Sequence, residues 1–374
     1  MAAPPRLTHV FPTFVAGGSQ VRATDLMNAF GARFEHEVVA LDGHTQARER
    51  VGPDVRLACL EAPPKAGSLT VARRLRALLV ERRPALLLTY NFGAVDALVA
   101  ARGLGLAAVH HEDGFHADEA RRLKRRRNWL RRLALGAATQ LVVISRNLER
   151  IALEDWRQPR ERVLYVPNGI DVASFARERA PTGLREELGI PTTALAVGSV
   201  GHLRPEKNLA RLFEAAAIAV RGGCDLHLVV LGDGPERAAL EERARAAPLA
   251  GRVHFLGFRS DPRPAYRALD AFALSSDTEQ MPMALLEAMA AGLPCVSTEV
   301  GDVRAMLPEA QGEFLVAPDA HAAAGLAAAL ARLGTDSGLR ERLGRANAAR
   351  AAERFERGAM VATYAELYGR LAAR

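Results

Sequence analysis

Short runs of β-branched residues and leucine alternate with longer helical segments along this chain, and no other feature constrains the fold as strongly. In the first half the predicted strands cover residues 8–14, 37–41, 85–90, 106–110 and 140–144. The second half repeats the pattern with the runs ALAVGSV, LHLVVLG, VHFLG, AFALSS and PCVST. Strands that alternate with helices form parallel sheets with crossover helices. The sequence therefore predicts an α/β fold.

The length of the chain predicts more than one domain. A typical domain holds roughly 100–200 residues, whereas this chain has 374. A charged stretch with prolines and a glycine follows the motif VPNGID and has the composition of a linker. We place one domain at 1–178 and a second at 190–350. Residues 351–374 lack a strand signal and are expected to form a helix that packs back towards the first domain.

Composition narrows the class of protein and of partner. The three cysteines are isolated, which fits a reducing compartment better than a disulfide framework. The N-terminal residues lack a signal-peptide pattern, and there is no apolar run long enough to span a bilayer, so we expect a cytoplasmic protein. The net charge of +7 favours anionic partners, among which composition alone does not choose.

The most informative stretch joins the end of a predicted strand to the start of a helix and carries Glu279 and Glu287. Pro282 is predicted at the first helical position, which proline favours. The N–H groups of that helical turn can face an anionic group, while the two carboxylates accept hydrogen bonds from hydroxyls. The alternative is two solvated acids on an amphipathic helix. Apolar neighbours on both sides of Glu287 favour a buried or cleft position instead.

A glycine-containing loop follows the first strand of the second half. It reads GHLRPEKN, with Lys207 as the strongest candidate cation and Arg204 as the next. Such a loop lets a ligand approach the backbone, and its cations can meet a departing diphosphate. The alternative is a surface turn in which Asn208 caps the next helix, which does not exclude the functional role.

In the first half, two pairs of residues lie at or just after the ends of predicted strands. Gly17 and Gly18 follow the first strand, where a phosphate or sugar can approach. His110 and His111 lie at the end of the fourth, and ligands of open α/β sheets bind at the carboxyl ends of strands. A single histidine is more often structural, but two at one strand end favour a function.

The sequence lacks the motifs of several other classes of binding site. The sequence has no D-x-D metal clamp and no phosphate-binding P-loop. The glycines Gly103 and Gly105 lead into a strand instead of leaving one, and Arg237 stands where a dinucleotide motif starting at Gly232 needs a small residue. A dehydrogenase is therefore not expected, and neither is a metal or another cofactor.

A basic run with interleaved apolar residues lies in the first half. Its candidate membrane-associating residues are Arg121, Arg122, Lys124, Arg125, Arg126, Arg127, Trp129, Arg131 and Arg132. A basic helix with a narrow apolar stripe suits an anionic membrane surface. A solvated helix face is an equal alternative. Nucleic-acid binding comes third because no recognised reader motif accompanies the run.

Taken together, the motifs resemble those of glycosyltransferase family 4. The matching segments are the Gly17–Gly18 loop, VPNGID, VGHLRPEKNL, LVVLGDGPE, VHFLG, the E-x(7)-E of Glu279 and Glu287, and AMAAGLP. This resemblance implies the GT-B fold, in which two Rossmann-like domains face each other, here with a helical C-terminal segment. Residues 1–178 would form the acceptor-side domain, and residues 190–350 would bind the nucleotide-sugar donor. It covers most of the chain.

The resemblance also implies residue roles. Glu287 would hold the ribose of a nucleotide, Lys207 would neutralise the diphosphate, and His110, with His111 as alternate, would lie beside the reacting sugar. Glu279 and the amides after it would meet the donor sugar and phosphate. The family usually has an arginine where this chain has His202, so either Arg204 supplies the missing charge or phosphate binding depends on Lys207 together with His202. The implied donor-binding set is Gly17, Gly18, His202, Arg204, Lys207, Glu279, Gln280, Met281, Pro282 and Glu287.

The activity implied is transfer of a sugar from a UDP- or GDP-sugar to a glycan or lipid-linked acceptor in cell-surface polysaccharide or glycolipid synthesis. The anomeric configuration would be retained without a protein nucleophile or a metal, and the enzyme would act at the inner face of the cell membrane. Two alternatives remain at this point. One is a sugar-nucleotide epimerase of the same fold, and the other is a basic non-catalytic protein that binds nucleic acid or membrane.

Overall fold

A computed structural model describes residues 3–64, 66–115, 119, 124–176 and 183–373 of the chain. It divides into two compact units. The first comprises Met1–Asn168 and Gly358–Arg374, and the second comprises Gly169–Arg357. None of the helices within the described ranges is long and apolar enough to cross a bilayer.

The first unit is built on a seven-stranded parallel sheet in the order β3-β2-β1-β4-β5-β6-β7. Its strands are β1 (Arg6–Phe11), β2 (Glu35–Ala40), β3 (Leu57–Leu60), β4 (Leu86–Tyr90), β5 (Ala108–Glu112), β6 (Gln140–Val143) and β7 (Val163–Tyr165). Its helices are α1 (Gly18–Phe30), α2 (Ser68–Arg82), α3 (Val95–Ala101), α4 (Arg125–Leu135), α5 (Arg146–Glu154) and the last helix of the chain, α15 (Arg357–Ala372). The strand order reverses between β1 and β4.

Five of these strands are predicted from the sequence, and two are not. The missed strands, β3 and β7, lie at the edges of the sheet and have only four and three residues. Such short, half-exposed segments lack the continuous apolar run of a central strand. The first predicted strand ends early, at Phe11, where Pro12 has no N–H to continue the ladder.

The C-terminal helix α15 contributes to the core of the first unit. Met360, Tyr364, Leu367 and Tyr368 are buried together with residues of β1, β4 and α1. The hydroxyl of Tyr368 lies 2.8 Å from Nε2 of His111 on β5. The first unit is therefore completed by residues from both ends of the chain.

The second unit has a six-stranded parallel sheet in the order β10-β9-β8-β11-β12-β13. Its strands are β8 (Leu195–Val200), β9 (Leu226–Leu231), β10 (Val253–Gly257), β11 (Ala271–Leu274), β12 (Cys295–Thr298) and β13 (Leu315–Val316). Its helices are α6 (Val172–Phe175), α7 (Leu184–Glu187), α8 (Leu209–Arg221), α9 (Arg237–Ala244), α10 (Arg263–Arg267), α11 (Met283–Ala290), α12 (Val303–Met306), α13 (Ala322–Thr335) and α14 (Ser337–Arg354). The predicted α/β class and the strands β8 to β12 are confirmed.

The chain enters and leaves the second unit at adjacent residues. Ile170 and Glu356 form a parallel bridge. The N–H of Ile170 donates to the carbonyl of Phe355 at 2.8 Å, and the N–H of Arg357 donates to the carbonyl of Ile170 at 2.9 Å. The predicted boundary at residue 350 falls inside α14, because that helix continues to Arg354.

Candidate functional site

The loop after β8 forms one wall of a small cavity at the carboxyl end of the second sheet. Lys207 and His202 line this cavity with residues from the ends of β8 and β11. The loop closes with a 3₁₀ turn, Pro205–Lys207, and Asn208 then caps α8 by accepting from the N–H of Arg211. A ligand at this end of the sheet would therefore meet Lys207 directly.

Two glycines after β9 allow another backbone to pack closely beneath this loop. A Cβ atom on Gly232 would lie 1.9 Å from the carbonyl oxygen of Gly201, and one on Gly234 would lie 2.5 Å from that of Leu203. Only glycine fits such contacts without moving the main chain. The LGDG segment therefore supports the cavity loop.

The loop after β11 brings Glu279 to Lys207. Nζ of Lys207 lies 2.6 Å from Oε1 of Glu279, and the hydroxyl of Ser276 donates to the same oxygen at 2.7 Å. The Glu279 side chain is only 10% exposed, and that of Lys207 is 27% exposed. The sequence predicts that both residues are functional. The structure adds that, without a ligand, each neutralises the other.

Gly301 supports the Glu279 loop from behind. Its φ of 54° lies in the left-handed region, and a Cβ atom there would lie 2.2 Å from the carbonyl oxygen of Glu279. The N–H of the next residue, Asp302, donates to the carbonyl of Gln280 at 2.9 Å. The side chains of Gln280, Met281 and Pro282 are buried, so contacts with a donor from this stretch would come mainly from the backbone.

Helix α11 starts one residue later than predicted. Pro282 occupies the N-cap position in an extended conformation, and the first helical residue is Met283. Proline has no N–H, and no side chain caps this helix terminus. The N–H groups in the first turn of α11 can therefore face an anion, as expected from the sequence.

Glu287 lies inside α11 and contacts a tyrosine of α10. The hydroxyl of Tyr266 donates to Oε2 of Glu287 at 2.8 Å and also lies 3.1 Å from the carbonyl oxygen of Ala284. Burial raises the pKa of Glu287 to about 7, although the Tyr266 hydrogen bond partly opposes this shift. A carboxylate that is costly to ionise alone is stabilised by hydroxyl donors, which a ribose would supply.

Two further residues of the predicted donor-binding loop have side chains that face solvent. His202 and Arg204 are both exposed, and Nη1 of Arg204 lies 3.9 Å from Oε1 of Glu206. Neither side chain is held in place as Lys207 is. Arg204 is not among the residues that line the cavity beside Lys207.

In the first unit, β5 continues to Glu112, so His110 and His111 lie within the strand and not after it. Both side chains are buried, with exposures of 0% and 1%. Nδ1 of His110 lies 2.8 Å from the hydroxyl of Thr89, whereas the His111 ring nitrogens face the carbonyl of Thr89 and the hydroxyl of Tyr368. Burial lowers the pKa of His111 well below its ordinary value. Neither imidazole is open to a ligand in this structure.

Gly17 and Gly18 occupy the position expected of them. Gly17 is the N-cap of α1 and Gly18 is its first residue, and both are exposed. No side chain caps this helix. Four residues on, Arg22 turns inward and pairs with Asp113 just beyond β5, a contact that the local sequence does not indicate.

The residues of the basic run differ in their exposure to solvent. Within its described part, Lys124, Arg125, Arg126 and Arg132 are exposed, as are the apolar side chains of Trp129 (60%), Leu130 (40%) and Leu133 (47%). Arg121 and Arg122 lie outside the described residues. Arg127 is half-buried and pairs with Glu119 at 3.0 Å.

The prediction that Arg131 faces a membrane is wrong. Its side chain is 1% exposed and forms two hydrogen bonds of 3.2 Å to the carboxylate of Glu119. Its guanidinium also lies 4.6 Å from the centre of the Phe92 ring and 5.2 Å from that of Trp156. An ion pair and aromatic rings therefore hold Arg131 inside the unit, where it fastens α4 to the core.

Sequence reasoning missed Tyr266 and Arg22, whereas Asp113 follows the strand of the two histidines and Asn168 belongs to VPNGID, although no partner was predicted for either. Tyr266 lies on α10, 21 residues before its partner Glu287. Arg22, Asp113 and Asn168 come together from three distant parts of the first unit.

Two family models match the chain in succession. The Glycosyl transferase 4-like domain matches residues 17–169, and Glycosyl transferases group 1 matches residues 182–350. The putative glycosyltransferase EpsF of Bacillus subtilis is 30% identical over 310 residues, which cover 79% of each chain. An Escherichia coli enzyme, UDP-Gal:alpha-D-GlcNAc-diphosphoundecaprenol alpha-1,3-galactosyltransferase, is 29% identical over 225 residues, or 58% of each chain.

Solved structures share the fold across nearly the whole chain. Anabaena HepE in complex with UDP matches with a TM-score of 0.81 at 20% identity, covering 97% of this chain and 99% of HepE. The sucrose-phosphate synthase of Thermosynechococcus elongatus matches with a TM-score of 0.80 at 19% identity, over 98% and 99% of the two chains. The two parallel-sheet units and the order of the motifs agree with these matches. The chain belongs to the group 1 glycosyltransferases and is a GT-B glycosyltransferase of family 4.

Proposed function

We propose that this glycosyltransferase moves a sugar, with retention of its anomeric configuration and without a metal, from a UDP- or GDP-sugar to a glycan or lipid-linked acceptor. The main support is the second unit, where Lys207 pairs with Glu279 in the loop before α11, no side chain caps the first turn of α11, and Glu287 lies within this helix. Relatives in cell-surface glycan synthesis support this class of acceptor. Because the matched families and relatives are transferases, we do not retain the epimerase alternative.

Each side chain of this site has a distinct role in the proposal. Glu287 accepts hydrogen bonds from the ribose hydroxyls. Lys207 leaves Glu279 and neutralises the diphosphate, together with the first-turn amides of α11 and the exposed His202 and Arg204. Glu279 then accepts from hydroxyls of the donor sugar.

The leaving diphosphate gains negative charge as the sugar departs, and the Lys207 ammonium and the α11 amides are placed to stabilise it. The same diphosphate takes the proton of the acceptor hydroxyl as the new glycosidic bond forms. No protein nucleophile is needed, and His110 and His111, which are buried, act as positioning residues that fix the end of β5.

Donor binding tests the assignment of the second-unit site. A UDP-sugar should raise the melting temperature of the wild type. Glu287→Gln removes charge-assisted hydrogen bonds and should weaken donor affinity about a hundredfold, which abolishes the shift. The exposed Glu353→Gln is the matched control and should keep it. A normal shift in Glu287→Gln, or no shift with any UDP- or GDP-sugar in the wild type, would contradict the proposal.

Slow hydrolysis of the donor tests the stereochemistry and the metal. Proton NMR should detect the sugar with the donor's own anomeric configuration before it mutarotates, and the rate should persist in EDTA. Initial release of the opposite anomer would exclude retention. Loss of hydrolysis in EDTA that is restored by a divalent cation would exclude the metal-independent mechanism.

The exposed face of α4 supports a second element of the proposal, attachment to an anionic membrane surface. Arg125, Arg126 and Arg132 lie on the same short helix as exposed Trp129 and Leu133. Each cation near an anionic bilayer contributes about 1 kcal/mol. The enzyme would then meet lipid-linked acceptors at the cytoplasmic side of the membrane.

Flotation with phosphatidylglycerol vesicles tests this attachment. Replacing the three arginines of the α4 face with glutamine should release the protein from the vesicles. The matched control is the same change at Arg342, Arg345 and Arg354, three exposed arginines of the second unit. Equal flotation of both triple variants would rule out a specific role of α4.

A further inference from the structure

We propose that Tyr266 is a positioning residue of the donor site, whose one hydroxyl hydrogen holds Oε2 of Glu287 when that carboxyl is ionised and turns to the carbonyl of Ala284 when it is not. One side chain thus orients the ribose acceptor and favours its charged form. The inference rests on the proposed role of Glu287 and deepens it. Tyr266 lies on α10, outside every motif that indicates the donor site.

The single hydrogen of the phenol is the first support. A tyrosine hydroxyl has one hydrogen to donate, yet the Tyr266 oxygen lies 2.8 Å from Oε2 of Glu287 and 3.1 Å from the carbonyl oxygen of Ala284. A charged acceptor forms the stronger bond, so the hydrogen points to Glu287 when the carboxyl is ionised. When the carboxyl holds a proton, the phenolic oxygen accepts from the acid and the hydrogen turns to Ala284. The buried hydroxyl therefore keeps a partner in both states.

The fixed position of the tyrosine ring is the second support. Tyr266 is 1% exposed, and its ring centre lies 5.8 Å from that of Phe175 on α6 and 6.2 Å from that of Phe272 on β11. Close packing of this kind leaves the ring in place and only the hydroxyl hydrogen free to turn. The phenol itself stays protonated, because burial and the Glu287 charge raise its pKa well above its ordinary value.

The second oxygen of the carboxylate is the third support. Glu287 is half-buried, and its Oε1 has no hydrogen-bond partner in the described part of the chain and is not one of the fully buried atoms there. Because Tyr266 occupies Oε2, Oε1 is the oxygen left for the ribose hydroxyls. The Tyr266 bond therefore decides which oxygen meets the nucleotide.

The elements packed on the far side of this pair contribute no charge to it. Cys295 on β12 is the other titratable group beside Tyr266, and burial raises the pKa of its thiol, which keeps the thiol neutral. Helix α14 adds the uncharged amide of Asn347, whose Nδ2 lies 3.6 Å from the Cys295 sulfur. Neither group offers Glu287 a counter-charge.

The two arginines of α10 also leave this carboxyl alone. Arg263 and Arg267 both act on Asp261, whose pKa they lower. Within the described residues, no cation forms an ion pair with Glu287. Burial raises the pKa of Glu287, and the Tyr266 hydroxyl is the protein group that opposes this rise.

Donor binding measured across a range of pH tests this role. The probes are UDP-glucose and GDP-mannose, which have no terminal phosphate to titrate near neutral pH. Affinity of the wild type should rise with pH as Glu287 ionises. In Tyr266→Phe the rise should move about one pH unit higher, because the carboxylate loses a charge-assisted hydrogen bond. Affinity should then be about fivefold weaker than that of the wild type at pH 7 and nearly equal at pH 9.

The matched control is Tyr364→Phe. Tyr364 is a buried tyrosine of the first unit, and its hydroxyl has no hydrogen-bond partner within the ranges that the structure describes. This variant should follow the wild-type profile. A loss of affinity in Tyr266→Phe that is equal at every pH would leave Tyr266 a structural role alone and would overturn the inference, as would a profile that does not move.

Carboxyl-carbon NMR of the unliganded protein, labelled at glutamate, gives a reading that does not depend on a donor. Glu287→Gln identifies the Glu287 signal by its absence. The midpoint of this signal should lie about one pH unit higher in Tyr266→Phe than in the wild type. Equal midpoints would overturn the inference. A wild type that binds neither nucleotide sugar instead contradicts the proposed donor site, and the NMR titration still decides whether Tyr266 controls the Glu287 carboxyl.

Discussion

The two units present polar clusters at the same end of their sheets, but they assemble them in different ways. In the second unit, Glu279 and Glu287 come from a single turn and helix, and their partner Lys207 lies in the loop after the first strand. In the first unit, Arg22, Asp113 and Asn168 come from three separate segments. Local sequence spacing therefore indicates the cluster in the second unit but not the cluster in the first unit.

Exposure is a second difference between the clusters. Lys207 retains 27% of its side-chain exposure, whereas Arg22 retains 5%. Water can solvate the partly exposed Lys207 ammonium when it leaves Glu279, which keeps its hydrogen bond from Ser276. The Arg22 guanidinium has little access to water, so we expect the Arg22–Asp113 pair to stay fixed and the Lys207–Glu279 pair to separate more readily.

The largest expected effect separates the two pairs by stability. Arg22→Met leaves the Asp113 carboxylate buried without its cation and should lower the free energy of unfolding by about 3–5 kcal/mol. Lys207→Met in the second unit should cost less, about 1 kcal/mol, because the hydroxyl of Ser276 still donates to Glu279. Urea unfolding of the two variants measures both values. Equal losses would show that the pairs do not differ in this way.

A smaller effect concerns the pH dependence of donor binding. With a pKa of about 7, Glu287 is mostly protonated at pH 6 and mostly ionised at pH 8. Only the carboxylate accepts from both ribose hydroxyls, so donor affinity should rise about tenfold between these values. Titration calorimetry at both pH values checks this rise, and Glu287→Gln should show little dependence. An affinity that falls between pH 6 and 8 in the wild type would refute this role.

The same carboxyl has the opposite effect on the unliganded fold. Its pKa is raised from 4.5 to about 7, so the folded state holds this proton more tightly than the unfolded chain does. The contribution of Glu287 to stability is therefore greatest below pH 4.5 and is lost as the pH rises towards 7. Without donor, Glu287→Gln should gain stability over the wild type at pH 8 and little at pH 4.

The smallest expected effect tests the support of the Glu279 loop. Gly301→Ala places a methyl group against the carbonyl of Glu279 and should weaken donor binding severalfold, because that loop must shift. Gly103→Ala in the first unit is the matched control, since Gly103 also has a positive φ, of 72°, but nothing lies within 4 Å of its added Cβ. Both variants should lose about 1 kcal/mol of stability from backbone strain, and Gly301→Ala should lose more because its methyl group also collides with the carbonyl of Glu279. Equal donor affinities would remove Gly301 from the site.

Much of this fold could be predicted from periodicity because its central strands are continuous apolar runs. The edge strands β3, β7 and β13 could not, since two to four half-exposed residues carry no clear period. Arg131 shows a related limit. A row of arginines on a helix resembles a solvated or membrane-facing surface, and nothing local marks Arg131 as a cation that Glu119 and aromatic rings bury.

The candidate site residues likewise divide into those that local sequence indicates and those that depend on distant parts of the chain. The apolar neighbours of Glu287 correctly indicated partial burial, but its tyrosine partner came from another helix and had no signal in the sequence. The two histidines of β5 were expected at an open strand end. The strand continues past them, and the residue that reaches the edge of the sheet is Asp113.

The paired segments at Ile170 and Glu356 make the second unit an insertion within the first. An inserted module whose ends adjoin can be exchanged at two neighbouring junctions without breaking the host fold. In this protein, a recombination event that replaces one internal gene segment would therefore exchange the whole second unit, together with the donor site proposed for it. The first unit would keep its own sequence and its sheet.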